Sequence, residues 1–276
     1  MILNFTKMHG LGNDFVVIDT INQKVSLSEP TCRLISDRRF GVGCDQILLV
    51  EPARLPNTDF HYRIINADGS DAGACGNGAR CFAHFVKNKN LSDLQTLRVG
   101  TSSGIIVLRH CENDLVEVDM GKPAFEPEAI PFVSQKKSKQ YTLDVAGELL
   151  TISAVSMGNP HAVMLVTDTE LAPVEQLGPL IERHERFPQR VNAGFLQVIN
   201  QAEAKLRVFE RGTGETLACG SGACAAVAVG RQLGLLGEQV TVHLRGGDLV
   251  VEWADEGQNV LMRGPAKTVY EGAIEL

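Results

Sequence analysis

Cys75 and Cys219 stand apart from the other five cysteines of the chain because of the residues immediately after them. Cys75 runs into Gly76-Asn77-Gly78-Ala79 and Cys219 into Gly220-Ser221-Gly222-Ala223. Each segment then carries small and apolar residues at helical spacing: Ala79, Phe82, Ala83 and Val86 in one, Ala223, Ala226, Val227 and Gly230 in the other. A thiol at the start of a helix meets unpaired backbone N–H groups and the positive end of the helix dipole. That setting is expected to lower its pKa from about 8.5 and favour the thiolate. The neighbouring glycines let N–H groups approach an anion, so one element offers both a base and a carboxylate cradle. Two such elements converging on one carbon would remove a proton from one face and return it to the other. The helix ends would stabilise the enolate-like charge that develops in between.

The two cysteines are related by an internal repeat. Ala74 to Ala79 matches Ala218 to Ala223 at an offset of 144 positions, and Asn66 and Glu210 lie at the same distance upstream. Further upstream the offset becomes 146, and Gly12-Asn13 then falls on Gly158-Asn159 and Gln46 on Asn192. A difference in one loop length explains the drift. The remaining cysteines read as buried small apolar residues: Cys32, Cys44 and Cys111, with Cys81 and Cys224 packing inside the two helices. Neither the C-x-x-C of a redox motif nor zinc-ligand spacing occurs, so no metal is expected. His9, His61, His84, His110, His184 and His243 show no ligand spacing either.

Strands are expected at Phe15–Ile18, Gln46–Val50, Phe60–Ile65, Gly104–Arg109, Leu115–Met120, Ala162–Val166, Phe195–Ile199, Leu206–Phe209, Val240–Leu244 and Leu249–Trp253. Helices are expected at Glu29–Arg39 and Val174–His184, besides the two after the cysteines. The halves meet near Gly121-Lys122-Pro123, where turn residues come after a strand. The chain of 276 residues has a net charge of -7 and scattered Lys and Arg, which argues against nucleic acid or an anionic membrane as partner. The start from Met1 to Lys7 lacks the pattern of a signal peptide, and an odd number of cysteines favours reduced thiols, so a cytoplasmic protein is expected.

Over essentially its whole length, from Lys7-Met8-His9-Gly10-Leu11-Gly12-Asn13-Asp14-Phe15 to Gly264-Pro265-Ala266, the chain resembles the diaminopimelate epimerase family. The most specific stretches are Asn66-Ala67-Asp68-Gly69-Ser70 leading to Cys75 through Cys81, and Glu210-Arg211-Gly212-Thr213-Gly214-Glu215-Thr216 leading to Cys219 through Cys224. Gly158-Asn159-Pro160-His161 fits as well. Members of that family interconvert LL- and meso-2,6-diaminopimelate without pyridoxal phosphate, in lysine and peptidoglycan-precursor biosynthesis. The resemblance implies Cys75 and Cys219 as the acid–base pair. It implies substrate contacts from Asn13, Gln46, Asn66, Asn159, Asn192, Glu210 and Arg211, and from the backbone at Gly76-Asn77 and Gly220-Ser221. Arg211 suits the distal carboxylate. Glu210 and Asn66 suit the reacting ammonium, while Asn13, Asn159 and Asn192 suit the distal amino acid. His161 and Glu210 are implied to tune the thiol pKa values.

The fold implied is α+β: two pseudo-symmetric halves, each a curved, mostly antiparallel sheet around a central helix, with the active site in the cleft between them. Residues 1–120, with 264–276 returning to them, form the half carrying Cys75, and 121–263 the half carrying Cys219. No cofactor is expected, and a homodimer is, by the same resemblance. Three rivals share features of this reading: a proline racemase-like isomerase, a two-lobe amino-acid binding protein and a thiol-redox sensor. Arg211 and the array of amides disfavour the first, because proline has no charged distal end.

Overall fold

The computed structural model describes residues 2–73 and 75–276; Met1 and Ala74 lie outside the described residues. The chain divides into two compact units, residues 1–119 with 263–276 and residues 120–262.

In the first unit, β1 (Ile2–Gly10) and β2 (Asn13–Asp19) form a hairpin through a turn in which Leu11 and Gly12 both have positive φ. Helix α1 (Glu29–Ser36) then carries the chain to β3 (Gln46–Pro52), which runs parallel to β2. A parallel neighbour needs such a crossover. β4 (Phe60–Asn66) returns antiparallel to β3 and continues into the short β5 (Asp71–Ala72). Helix α2 (Gly76–Asn88) crosses to β6 (Thr96–Thr101), parallel to β4, and β7 (Gly104–His110) and β8 (Leu115–Asp119) continue antiparallel. The C-terminal strand, Lys267–Glu275, pairs antiparallel with β1.

The second unit repeats this order. β9 (Tyr141–Val145) pairs with β10 (Glu148–Ser156), and β10 pairs with β11 (Pro160–Leu165). Helix α3 (Val174–Glu182) crosses to β12 (Asn192–Asn200), parallel to β11. β13 (Glu203–Glu210) and the short β14 (Gly214–Glu215) lead into helix α4 (Gly220–Gln232). β15 (Gln239–Leu244), parallel to β13, and β16 (Gly247–Glu252) complete the unit. The register carries the repeat into three dimensions: Phe15 pairs with Gln46 in one unit, and His161 with Asn192 in the other. The mixed sheets with few helices place the fold in the expected α+β class.

Helices α2 and α4 are the centres of their units. α2 buries Ala79, Phe82, Ala83 and Val86, and α4 buries every residue from Gly222 to Gly230. The run in α4 is apolar on every side, has no solvent face to offer and becomes a core element, while α2 turns Lys87 and Asn88 outward. Small residues let sheet pack close. A Cβ at Gly78 would overlap the Tyr62 hydroxyl, and one at Gly222 would stand 3.0 Å from Val208 and 3.2 Å from the Cys219 sulfur.

Several expectations are corrected. α1 stops at Ser36 rather than Arg39, because the Asp37 carboxylate accepts from the Arg39 and Phe40 N–H groups at 2.7 Å and turns the chain out. α3 stops at Glu182 rather than His184. β1, β6, β9, β10 and the C-terminal strand were not anticipated. In β1 the buried Thr6 and Lys7 interrupt the apolar pattern.

Candidate active site

Cys75 and Cys219 both occupy the residue immediately before their helix, in extended conformation, with φ/ψ of -124°/119° and -119°/107°. Neither side chain caps the helix N–H groups. The backbone N–H groups at Gly76-Asn77 and Gly220-Ser221 are the ones an anion cradle would use, while the Cys219 sulfur takes the Gly222 N–H deeper in the first turn.

In the first unit Cys75 is half-buried, and its S–H donates to Asn13 Oδ1 at 3.7 Å. Asn77 Nδ2 donates to the same oxygen at 3.4 Å. Asn13 comes from the start of β2 and Asn77 from the first turn of α2, so the β1–β2 turn and the helix end are brought together. Gln46, at the start of β3, donates from Nε2 to Asn66 Oδ1 at 2.9 Å, and Asn66 donates to Ser70 Oγ at 3.1 Å. The Tyr62 hydroxyl donates to the Cys75 carbonyl at 3.4 Å.

In the second unit Cys219 is 4% exposed, and its sulfur lies 3.7 Å from Ser221 Oγ. Asn159 Nδ2 donates to Ser221 Oγ at 3.3 Å, and Asn159 Oδ1 faces His161 Nε2 at 3.1 Å. Glu210 lies within hydrogen-bonding reach of Cys219 and accepts from Thr216 Oγ1 at 2.5 Å. Asn192 is buried. It donates to the Pro160 carbonyl at 3.2 Å and accepts the Arg211 backbone N–H at 2.9 Å. The Arg211 side chain is exposed and donates to the Gln189 carbonyl at 2.9 Å. Thus Asn159, His161, Ser221, Glu210 and Cys219 form one cluster, while Asn192 and Arg211 form an adjoining one.

The expectation of a lowered thiol pKa is corrected for Cys219. Burial, and then the Glu210 charge, push it well above the ordinary thiol value, and the Ser221 hydrogen bond only partly offsets them. Burial likewise raises Glu210, against the hydrogen bonds from Thr216 and Cys219. Desolvation of a fully enclosed sulfur outweighs the field of one helix end. His161 is lowered to about 3 by burial, with the Arg211 charge adding to it, so the ring is neutral near pH 7 and acts as a hydrogen-bonding group. Burial also raises Cys32, Cys44 and Cys81, the last to about 12, in line with their reading as packing residues. Among the described residues no cluster of His, Cys, Asp and Glu has metal-holding geometry.

Several residues around the site escaped the sequence reading. Asp45 Oδ2 accepts from Asn13 Nδ2 at 2.9 Å, and Asp14 is held by Arg38 and by Lys7, which also donates to the Gly43 carbonyl. Burial opposes the Asp14 charge, but these hydrogen bonds outweigh it and keep the carboxyl well below its ordinary range. Glu182, 3% exposed, accepts the Gly212 N–H at 2.8 Å beside Arg211. The available signal was the acid adjoining an amide in both Asn13-Asp14 and Asp45-Gln46.

The fold is shared with a phenazine biosynthesis protein of the PhzF family from Bacillus anthracis, at TM-score 0.72 and 16% identity over 100% of both chains. It is shared too with a hydroxyproline epimerase from Agrobacterium vitis, at TM-score 0.70 and 14% identity, over 99% of this chain and 92% of that one. At such identities the likeness concerns the fold alone. In sequence the chain is 54% identical over 276 residues to a diaminopimelate epimerase from Chromobacterium violaceum, covering 100% of both. The profile of diaminopimelate epimerase matches residues 5–126 and 153–269, and the chain belongs to the diaminopimelate epimerase family.

Proposed function

We propose that this isomerase interconverts LL- and meso-2,6-diaminopimelate by moving a proton at one α-carbon between Cys75 and Cys219, without pyridoxal phosphate. The observation that carries the reading is the duplicated thiol: two cysteines, each ahead of a 13-residue helix whose first turn is glycine-flanked and has no side-chain cap. Each functional half, 1–120 with 264–276 and 121–263, supplies one thiol. The backbone N–H groups at Gly76-Asn77 and Gly220-Ser221 hold the α-carboxylate and stabilise the charge that builds on it as the α-proton leaves. Glu210 and Asn66 accept from the α-ammonium, Gln46 fixing the Asn66 amide. Arg211 pairs with the distal carboxylate, and Asn13, Asn159 and Asn192 select its configuration, Asn192 acting in part through the Arg211 backbone.

The raised pKa of Cys219 makes it a thiol at rest, so it begins as the acid. Its proton passes to the carbanionic carbon on one face while Cys75, having released its S–H proton to solvent, withdraws the α-proton from the other. In the reverse direction Glu210 is placed to receive the Cys219 proton and leave a base behind. A homodimer, by family resemblance, and a cytoplasmic location, in keeping with seven unbridged cysteines, belong to the same reading.

Incubation with LL-diaminopimelate in buffer free of pyridoxal phosphate tests the proposal. The meso isomer is expected to accumulate to an equilibrium reached equally from either side. Absence of meso product contradicts the reading, and racemisation of proline instead would transfer it to the proline racemase-like rival.

A further inference from the structure

An ion stands at each end of the amide chain beside Cys75, and we propose that Asp45 and Arg80 are positioning residues that lock which end of Asn13 faces the thiol. The proposal rests on the reading of Cys75 as an acid–base group. Asn13 Nδ2 donates to Asp45 Oδ2 at 2.9 Å. A carboxylate offers only acceptors, so it takes the amide nitrogen and refuses the amide oxygen. With the nitrogen so turned, Asn13 Oδ1 receives the Cys75 S–H at 3.7 Å and Asn77 Nδ2 at 3.4 Å. Asn77 is pinned from its other end: its Oδ1 accepts from Arg80 Nη2 at 2.9 Å, and a guanidinium has only donors. The chain therefore runs carboxylate, amide, amide, guanidinium, with every dipole aligned. Turning Asn13 would set a carbonyl against Asp45, and turning Asn77 would set an N–H against Arg80.

Both ends are themselves anchored. Asp45 Oδ1 accepts from Arg38 Nη2 at 2.8 Å, and its Oδ2 also takes the Asp14 N–H at 3.1 Å. Arg80 is wholly buried and donates to the carbonyls of Pro265 at 3.2 Å and Gly76 at 3.3 Å. Gly10 makes room for it, since a Cβ there would stand 3.2 Å from Arg80 Nη2. The repeat shows the arrangement to be specific to this unit. At the offsets of 146 and 144, the counterparts of Asp45 and Arg80 are the uncharged Val191 and Cys224. The lock gives the Cys75 proton a fixed direction, which a freely turning amide would not.

Neutron diffraction from the deuterated wild-type protein reads the amide directly and needs no turnover, so it is independent of whether diaminopimelate is the substrate. Both Asn13 amide deuterons are expected on the Asp45 side; deuterons towards Cys75 overturn the proposal. Asp45→Asn lets Asn13 present either end. In that variant kcat is expected to fall about tenfold, with a smaller change in KM, as for loss of one hydrogen bond to a charged group. At the same time, alkylation of Cys75 by iodoacetamide should become faster, because an N–H now faces the sulfur and favours thiolate. An unchanged kcat or an unchanged alkylation rate overturns the proposal. Should Asp45→Asn fail to fold, the neutron map decides.

Discussion

The surroundings of Cys75 and Cys219 are built on one scaffold and charged differently. In both units an extended cysteine precedes a 13-residue central helix, and an asparagine reaches the helix's first turn, Asn13 at the start of β2 to Asn77 and Asn159 just before β11 to Ser221. Where the first unit has the neutral Asn66, the second has Glu210; where the first has the buried Phe15, the second has the buried His161. The first unit instead gathers its ions one step away, at Asp45, Asp14, Arg38 and Arg80. Cys219 lies wholly enclosed beside a carboxylate, whereas Cys75 is half-buried against an amide oxygen. The repeat carries two cysteines, and the residues facing them differ in charge, a carboxylate at Cys219 and an amide oxygen at Cys75.

Removing either thiol breaks the comparison outright. Cys75→Ala and Cys219→Ala are each expected to lower kcat for diaminopimelate epimerisation by at least about a thousandfold in a stereoisomer-resolved assay. Full activity in either variant would sink the assignment. Making the second unit resemble the first at its acidic position is the next largest change. In Glu210→Gln the charge that raises Cys219 is gone, so the pH midpoint for alkylating Cys219 should move down. Turnover should fall about a hundredfold, because the acceptor proposed for the Cys219 proton is lost as well. An upward or absent movement of that midpoint would refute the electrostatic account.

The glycines sharpen the comparison through stability. Gly78→Ala is expected to cost about 1 to 3 kcal/mol in urea denaturation, since its Cβ overlaps the Tyr62 hydroxyl. Adding Tyr62→Phe removes the obstructing oxygen and should recover part of that loss; no recovery would argue for strain elsewhere. The smallest effect is expected from His161→Phe, which copies Phe15. Loss of one hydrogen bond to Asn159 should lower kcat roughly fivefold. The pH dependence of stability is the sharper readout. An unfolded histidine titrates near 6.5 and folded His161 near 3, so between those values the unfolded chain binds more protons. Stability therefore falls as pH drops below 6.5, and the loss is complete below about 3. His161→Phe should flatten this part of the curve, measured against the wild type at several pH values.

Features with local causes were legible in the sequence. The small residues after Cys75 and Cys219 mark the two central helices, whose first residues are Gly76 and Gly220. The offset of 146 reappears in the strand register that sets Phe15 beside Gln46 and His161 beside Asn192. What the sequence did not disclose depends on distant partners. The Cys219 environment is one case: a helix start is a local feature that favours thiolate, while burial and the approach of Glu210 are tertiary and prevail. The Asp45 and Arg80 contacts are another, joining β-strand starts to a helix and to the Pro265 carbonyl near the far end of the chain. β1 escaped notice because Lys7, a residue usually exposed, is buried there against Asp14.

Isotope labelling tests the two-thiol account most directly. LL-diaminopimelate is incubated with the reduced wild-type protein in D2O, without pyridoxal phosphate, and both stereoisomers are recovered early in the reaction. Two separate bases predict meso product carrying deuterium at the inverted α-carbon, delivered from a solvent-exchanged thiol, while recovered LL substrate stays largely unlabelled. Equal early labelling of product and recovered substrate would place one group on both faces of the carbon and contradict the account.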